Sequence, residues 1–277
     1  MSHRNSHITS FVLKIAAIVG MTANHVAHVM GPLMPWEATL VLYSFGGVTY
    51  PIMAFLLVIG YRHTSNVRRY ASRLFLFALA SQIPFTLCFG WGPFPIPRLN
   101  VLFTLLIGLG LLWVRDHAKN DALFFLAFVA GVAASYFCDW AISGPILVVL
   151  FYTLRNRNAW GIVLTMAFLY MYVLVPNALD IGDQIQRGMV SAQNAFDQNL
   201  AHNLDIVYVT GVPIHLYNGL MNTIASMGYA LVGFTLATVL ICRYNGRRGR
   251  SMKWFFYAYY PAHLLVIWLL NEVLTTL

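Results

Sequence analysis

The sequence predicts an all-α, polytopic integral membrane bundle of about nine transmembrane helices, with the amino terminus inside and the carboxyl terminus outside. Three observations carry this. Of 277 residues, 59% are hydrophobic and only 9% charged, where a water-soluble domain carries roughly 25% charged residues. Apolar segments recur from residue 11 to the end, so one bundle spanning 1–277 is the simplest domain organisation. The basic residues also fall almost entirely on one side of the resulting topology.

A spanning helix needs roughly 20 mainly apolar residues. The runs at 11–31, 38–60, 69–90, 99–114, 121–138, 141–155, 159–176, 218–242 and 253–275 answer that description, with the fourth and sixth short. The polar start, Met1 to Ser10, is followed by no small-residue cleavage pattern, so the first run is expected to be a retained helix. Nine spans place Arg4, Lys14, Arg62, Arg68, Arg69, Arg73, Arg115, Lys119, Arg155, Arg157, Arg243, Arg247, Arg248, Arg250 and Lys253 inside. Only Arg98 and Arg187 of the 17 Lys and Arg residues remain outside. Cytoplasmic loops are enriched in Lys and Arg, which fixes the orientation and points to the inner (cytoplasmic) cell membrane. The net charge of +8 is therefore a topology signal, and nucleic acid is excluded as a partner.

The stretch 177–217 is expected to be an extracytoplasmic insertion with room for one or two short interfacial helices, since Ile181, Ile185, Met189, Phe196 and Leu200 are spread among polar residues. Trp36, Trp91, Trp140, Trp160 and Trp254 are expected in the interfacial belts. Cys88, Cys138 and Cys242 form an odd set without metal spacing, so neither a disulfide framework nor a metal site is expected.

Ionisable groups at bilayer depth are costly and mark function. His25 and His28 lie in the first run and His263 in the last. Lys14 and His25 are eleven residues apart, which on a helix puts them within about 20° of one face and roughly 16 Å apart along the axis. A cation at the inner surface below a buried base suits a long donor with an anionic head and a reactive end in the membrane. Histidine serves as a general base because it titrates near operating pH. Asn24, Gln82, Asn100, Thr104, Asp139 and Tyr152 add polar groups at depth. Pro51, Pro84, Pro145 and Pro261 are expected to free carbonyls that line a cavity.

Leu13 to His25, with Lys14-x10-His25, resembles the opening helix of the TraX family of membrane acetyltransferases, relatives of the protein that acetylates F-type pilin. Pro51–Phe55, Gly60–Thr64, Tyr70–Arg73, Ser81–Phe85, Leu99–Thr104 and Asp139–Leu150 follow in the family's order. Tyr244–Gly249, Trp254–Tyr257 and Tyr260–Leu264 resemble its carboxyl-terminal signature. The resemblance implies an acyl-CoA-dependent acyltransferase, with acetyl-CoA as donor and no metal. In it, Lys14 would meet the CoA phosphates and His25 would be catalytic, as base or as acyl-carrying nucleophile. Arg73 would be a second phosphate contact and His263 a second polar group in the cavity. Arg62 and Arg69 complete an arginine-rich inner rim; Asp139, Gln82, Asn100 and His28 stand as substrate or orienting groups.

The chain departs from the family pattern at Asn24, where Asp commonly precedes the histidine, and at Gln82, often an acid. Orientation of His25 then falls to Asn24, Asp139 or a partner. The expected reaction moves an acetyl or similar acyl group to an amine or hydroxyl of a pilin-like peptide, a glycan or a small molecule presented at the membrane. Two other classes stand beside it. One is a proton-coupled transporter relaying through His25 and His263, although no internal repeat is seen. The other is a non-catalytic assembly factor for surface fibres or conjugation, docking a partner on 177–217.

Overall fold

A computed structural model describes residues 7–90, 98–154, 159–197, 208–209, 212–213 and 223–276. Ten helices organise them: α1 (Ser10–Met30), α2 (Trp36–Gly46), α3 (Thr49–His63), α4 (Val67–Phe89), α5 (Val101–His117), α6 (Asp121–Ala134), α7 (Ser143–Leu154), α8 (Ala159–Asp197), α9 (Thr223–Cys242) and α10 (Lys253–Thr276). Among the described residues the strand content is one antiparallel pair, Tyr208–Val209 with Val212–Pro213. Five helical stretches are long and apolar enough to cross a bilayer: Ser10–Leu33, Trp36–His63, Val67–Phe89, Ala159–Leu179 and Thr223–Cys242. Asp121–Phe137 and Ser143–Leu154 are shorter apolar helices. These lengths and compositions are those of a polytopic membrane protein.

Local chemistry sets the helix ends. Thr9 caps α1 by accepting from the Val12 amide, and Asn66 and Asn120 cap α4 and α6 through the amides of Arg69 and Leu123. A side-chain oxygen at that position satisfies an amide that the helix leaves without a partner. Pro51 and Pro145 fall in the first turns of α3 and α7, where a missing N–H costs nothing, so they free no carbonyl. Pro84 and Pro261 do lie inside α4 and α10.

The run expected as one span over 38–60 lies within the single stretch Trp36–His63, whose helix is interrupted at Gly47–Val48. A Cβ on Gly47 would lie 2.2 Å from the Tyr229 carbonyl oxygen, and one on Gly233 would lie 2.4 Å from the Gly47 Cα. The backbone of α9 therefore meets the break directly, at its π-helical stretch Tyr229–Phe234. An apolar pattern has no feature that reports such a contact.

The span expected over 159–176 is met by the span-length stretch Ala159–Leu179. α8 continues through Pro176 to Asp197, and its 39 residues rise about 58 Å at 1.5 Å each, roughly twice the hydrocarbon thickness. Trp160 and Trp254 are exposed, as belt residues would be. Trp36 and Trp140 are partly buried, Trp140 stacked on Tyr50 with centroids 4.3 Å apart, and Trp91 lies outside the described residues.

α1 packs against α2, α3 and α10, while α4 packs against α10 and α5, and α7 bridges α3, α5 and α8. Leu13, Tyr50, Phe55, Leu109, Leu147, Phe151 and Phe234 are fully buried at the centre. This arrangement brings the first helix of the chain beside the last.

Candidate functional site

The α1–α10 contact joins two histidines 238 residues apart. His25 Nδ1 and His263 Nε2 are 2.8 Å apart, and both side chains are buried. The ring planes differ by 12° with centroids 5.0 Å apart. A centroid separation that large beside so short an N···N distance places the bond nearly in the plane of both rings, where an imidazole lone pair lies.

Tautomers follow from one further contact. His263 Nδ1 is 2.9 Å from the Tyr259 carbonyl oxygen, which only accepts, so this nitrogen carries the proton. In the neutral ring, Nε2 of His263 is then an acceptor and His25 Nδ1–H donates to it. The lone pair of His25 is left at Nε2, to which no hydrogen bond is made among the described residues. Tyr259 continues the row, its ring lying 5.1 Å from that of His263 at 9°, while its hydroxyl is 2.7 Å from that of Thr22. The edge of Phe89 and the ring of Tyr260 close around His25 at 5.2 and 6.4 Å.

Below this pair lie two cavities. The upper, of about 270 Å³, is lined mainly by aliphatic and aromatic side chains of α1, α3, α4, α5 and α10. Met21 and Tyr260 form its end towards the histidines, one turn before His25 and His263 on their helices. The lower, of about 510 Å³, is lined by Lys14, Arg73 and Arg248 with Ser10, His63, Ser251 and others, with no carboxylate among the described residues. Lys14 lies over the Phe256 ring at 5.1 Å, and Arg73 Nε is buried without a hydrogen-bond partner among the described residues. Lys14 and Arg73 are partly buried and Arg248 is exposed; cations gathered at one mouth, with no acid beside them among the described lining residues, fit a polyanionic ligand.

The loop carrying Arg248 is held by α1. Ser10 and Phe11 amides donate to the carbonyls of Arg247 and Arg248 at 2.9 and 3.1 Å, and the Asn245 amide donates to the Ile8 carbonyl at 2.9 Å. Gly249, at φ 67°, lies where a Cβ would be 2.5 Å from the Thr9 Oγ1. Arg248 was not singled out from the sequence; its signal is the Tyr244–Gly249 stretch in the carboxyl-terminal signature.

The other residues named from the sequence lie elsewhere. Asn24 faces α2, where a Cβ on Gly46 would be 2.5 Å from its Cβ, so it is His263 and not Asn24 that hydrogen-bonds His25. Arg62 donates to the Tyr152 carbonyl at 2.7 Å and covers the Tyr152 ring, while Arg69 is exposed; neither lines the cationic cavity. Gln82 and Asn100 form a bracket between α4 and α5. Asn100 Nδ2 donates to Gln82 Oε1 at 2.9 Å and to the Ala78 carbonyl at 2.8 Å, and its Oδ1 caps α5 at the Leu102 amide. Asn100→Leu is therefore expected to cost about 0.5–2 kcal/mol, from the lost cap, since Gln82 Oε1 keeps the Asn100 amide as a donor. A lower unfolding midpoint in detergent checks this. Asp139 pairs with Arg98 at 3.4 Å, and its carbonyl accepts from Thr104. His28 lies between the rings of Tyr43 and Phe89, at 5.0 and 6.0 Å. Among the described residues no cluster of side chains could hold a metal.

The family model described as TraX protein matches residues 10–197 and 189–271. A relative from Dichelobacter nodosus, described as "Probable fimbrial assembly protein FimC, serogroup H1", is 28% identical over 179 residues, which is 62% of this chain and 73% of the relative. No solved structure matches.

Proposed function

The chain belongs to the TraX family, and from that premise we propose that it is a membrane-embedded acyltransferase that moves an acetyl or similar acyl group from cytoplasmic acyl-CoA to an amine or hydroxyl of an acceptor presented at the membrane, a pilin-like peptide first among them. The observation that carries this reading is the succession of a cationic mouth, an apolar cavity and a histidine with a free Nε2.

In the proposed topology, α2 and α3 count as one broken span, giving nine spans in the inner membrane with the amino terminus inside. Lys14, Arg73 and Arg248 then face the cytoplasm, on the side richest in Lys and Arg. They would hold the phosphates of the donor, with the apolar cavity taking its arm. Bound there, acyl-CoA supplies a thioester, an acyl group already activated for attack. His25 Nε2 takes the proton from the acceptor as the acceptor nitrogen or oxygen bonds to the acyl carbon and the sulfur leaves. His263, anchored on the Tyr259 carbonyl, fixes which nitrogen of His25 does this and stabilises the imidazolium.

Calorimetry with acetyl-CoA tests the donor site. Lys14→Ala and Arg248→Ala are each expected to lose about 1.5–3 kcal/mol of a charge-assisted phosphate contact, at least tenfold in affinity. His25→Ala is expected to bind as wild type does. The relative's description as a fimbrial assembly protein favours a second reading, a non-catalytic assembly role. Silence of the wild type towards acetyl-CoA selects that one.

A further inference from the structure

Buried polar groups in folded proteins almost always have a hydrogen-bond partner, so each exception calls for a reason. Three side-chain atoms are such exceptions among the described residues: Tyr50 Oη, Arg73 Nε and Tyr260 Oη. Arg73 lines the cationic mouth, and Tyr50 is stacked on Trp140 and lines neither cavity. Tyr260 is placed differently. It lies three residues before His263 on the same face of α10, its ring centroid 5.6 Å from that of His263 and 6.4 Å from that of His25. It lines the apolar cavity at the end nearest the histidines and is only 4% exposed. The Val101 amide, in the first turn of α5, approaches its oxygen without hydrogen-bond geometry. The hydroxyl proton of Tyr260 therefore has no acceptor among the described residues.

We propose that Tyr260 is a catalytic hydrogen-bond donor, which holds the acyl oxygen while His25 takes the proton of the acceptor. This rests on the acyl-transfer reading above and adds to it the group that stabilises charge on oxygen. As the acceptor nitrogen or oxygen bonds to the acyl carbon, the carbonyl π pair moves onto the acyl oxygen. Negative charge is poorly solvated in an apolar cavity, and the Tyr260 O–H supplies a donor already in place. When that pair returns to re-form the carbonyl, the carbon–sulfur bond breaks and the proton held on His25 goes to the departing sulfur. The two side chains divide the work, one acting on the acceptor's proton and the other on the acyl group's charge. An unsatisfied buried hydroxyl disfavours the folded state, and here that cost is retained at the reacting end of the cavity.

Tyr260→Phe removes one oxygen atom and keeps the ring, so it separates this role from packing. On purified full-length protein it is expected to lower kcat by about 10²–10³-fold, the effect of deleting one such donor, with KM and calorimetric affinity for acetyl-CoA within about twofold of wild type. Its unfolding midpoint is expected to equal or exceed that of wild type, because a hydroxyl without a partner gives way to an apolar hydrogen. Binding supplies a readout that needs no turnover. Trifluoroacetonyl-coenzyme A, whose ketone hydrates to a tetrahedral carbon with an acidic hydroxyl, is expected to bind Tyr260→Phe about tenfold or more weakly than wild type. Tyr50→Phe, the same change at the other unpartnered tyrosine, is expected to leave kcat and both affinities unchanged. Wild-type kcat in Tyr260→Phe overturns the proposal, as does an equal loss of rate in Tyr50→Phe. A fall in acetyl-CoA affinity or unfolding midpoint that accounts for the lost rate overturns it also, because the hydroxyl is then structural. Absence of both turnover and acetyl-CoA binding in the wild type is a different result, which removes the acyl-transfer reading and this proposal with it.

Discussion

His25→Ala is expected to lower the proposed acyl transfer by about 10²–10⁴-fold, the range expected when a positioned general base is removed. The large effect follows from where the free lone pair sits. Tyr259 fixes the proton on His263 Nδ1, His263 fixes the proton on His25 Nδ1, and among the described residues Nε2 of His25 is the one imidazole nitrogen of the pair without a partner. Water does not replace it, because the side chain is only 8% exposed. The fold is expected to survive, since the substitution strands one acceptor, His263 Nε2, at a cost of about 1–3 kcal/mol. His263→Ala leaves the base in place but releases its tautomer and orientation, so its rate falls less than that of His25→Ala. Initial rates with acetyl-CoA, measured beside melting curves for each variant, check both. Equal rates for His25→Ala and wild type contradict the assignment.

Gly233→Ala has the largest effect expected on stability. Its added Cβ would lie 2.4 Å from Gly47 Cα, 2.6 Å from Gly47 C and 2.8 Å from Gly47 N. All three are backbone atoms, so no side chain can rotate away and α9 must move off the α2–α3 break. Overpacking costs typically 1–3 kcal/mol, and this contact lies at the upper end because it is backbone on backbone. Small residues that permit such approach are a main source of helix association in membranes. Gly47→Ala, with its Cβ 2.2 Å from the Tyr229 carbonyl oxygen, is expected to match it. The double variant is expected to cost less than the sum, because one displacement relieves both clashes. Unfolding midpoints in detergent decide this, and full additivity would mean two independent contacts.

The helices themselves were largely legible, for a physical reason. Each of the nine apolar runs overlaps a helix, because lipid demands a long apolar stretch with its backbone bonded internally. What stayed hidden depends on neighbours. Gly47–Val48 interrupts a run that is otherwise continuously apolar, and the backbone of α9, far along the chain, packs directly against it. α8 runs past Pro176 to Asp197, although a proline inside a helix removes one backbone hydrogen bond and ordinarily ends or kinks it.

At the site, the Lys14–His25 spacing is local to one helix and so could be read directly. The partner of His25 could not, since the pairing with His263 is set by how α1 meets α10. The arginines divide in the same way. Proximity in sequence suggested Arg62 and Arg69, whereas the direction each side chain takes from its helix leaves Arg73 at the mouth. Arg248 joins it because the α1 amides hold its loop there.

The most direct test of the central claim is release of free coenzyme A from acetyl-CoA by the protein reconstituted in vesicles with cell-envelope acceptor, followed with a thiol reagent. The account predicts release that needs both protein and acceptor, is lost in His25→Ala, and demands more acetyl-CoA in Lys14→Ala. Release that is absent in the wild type, or that persists undiminished in His25→Ala, contradicts it.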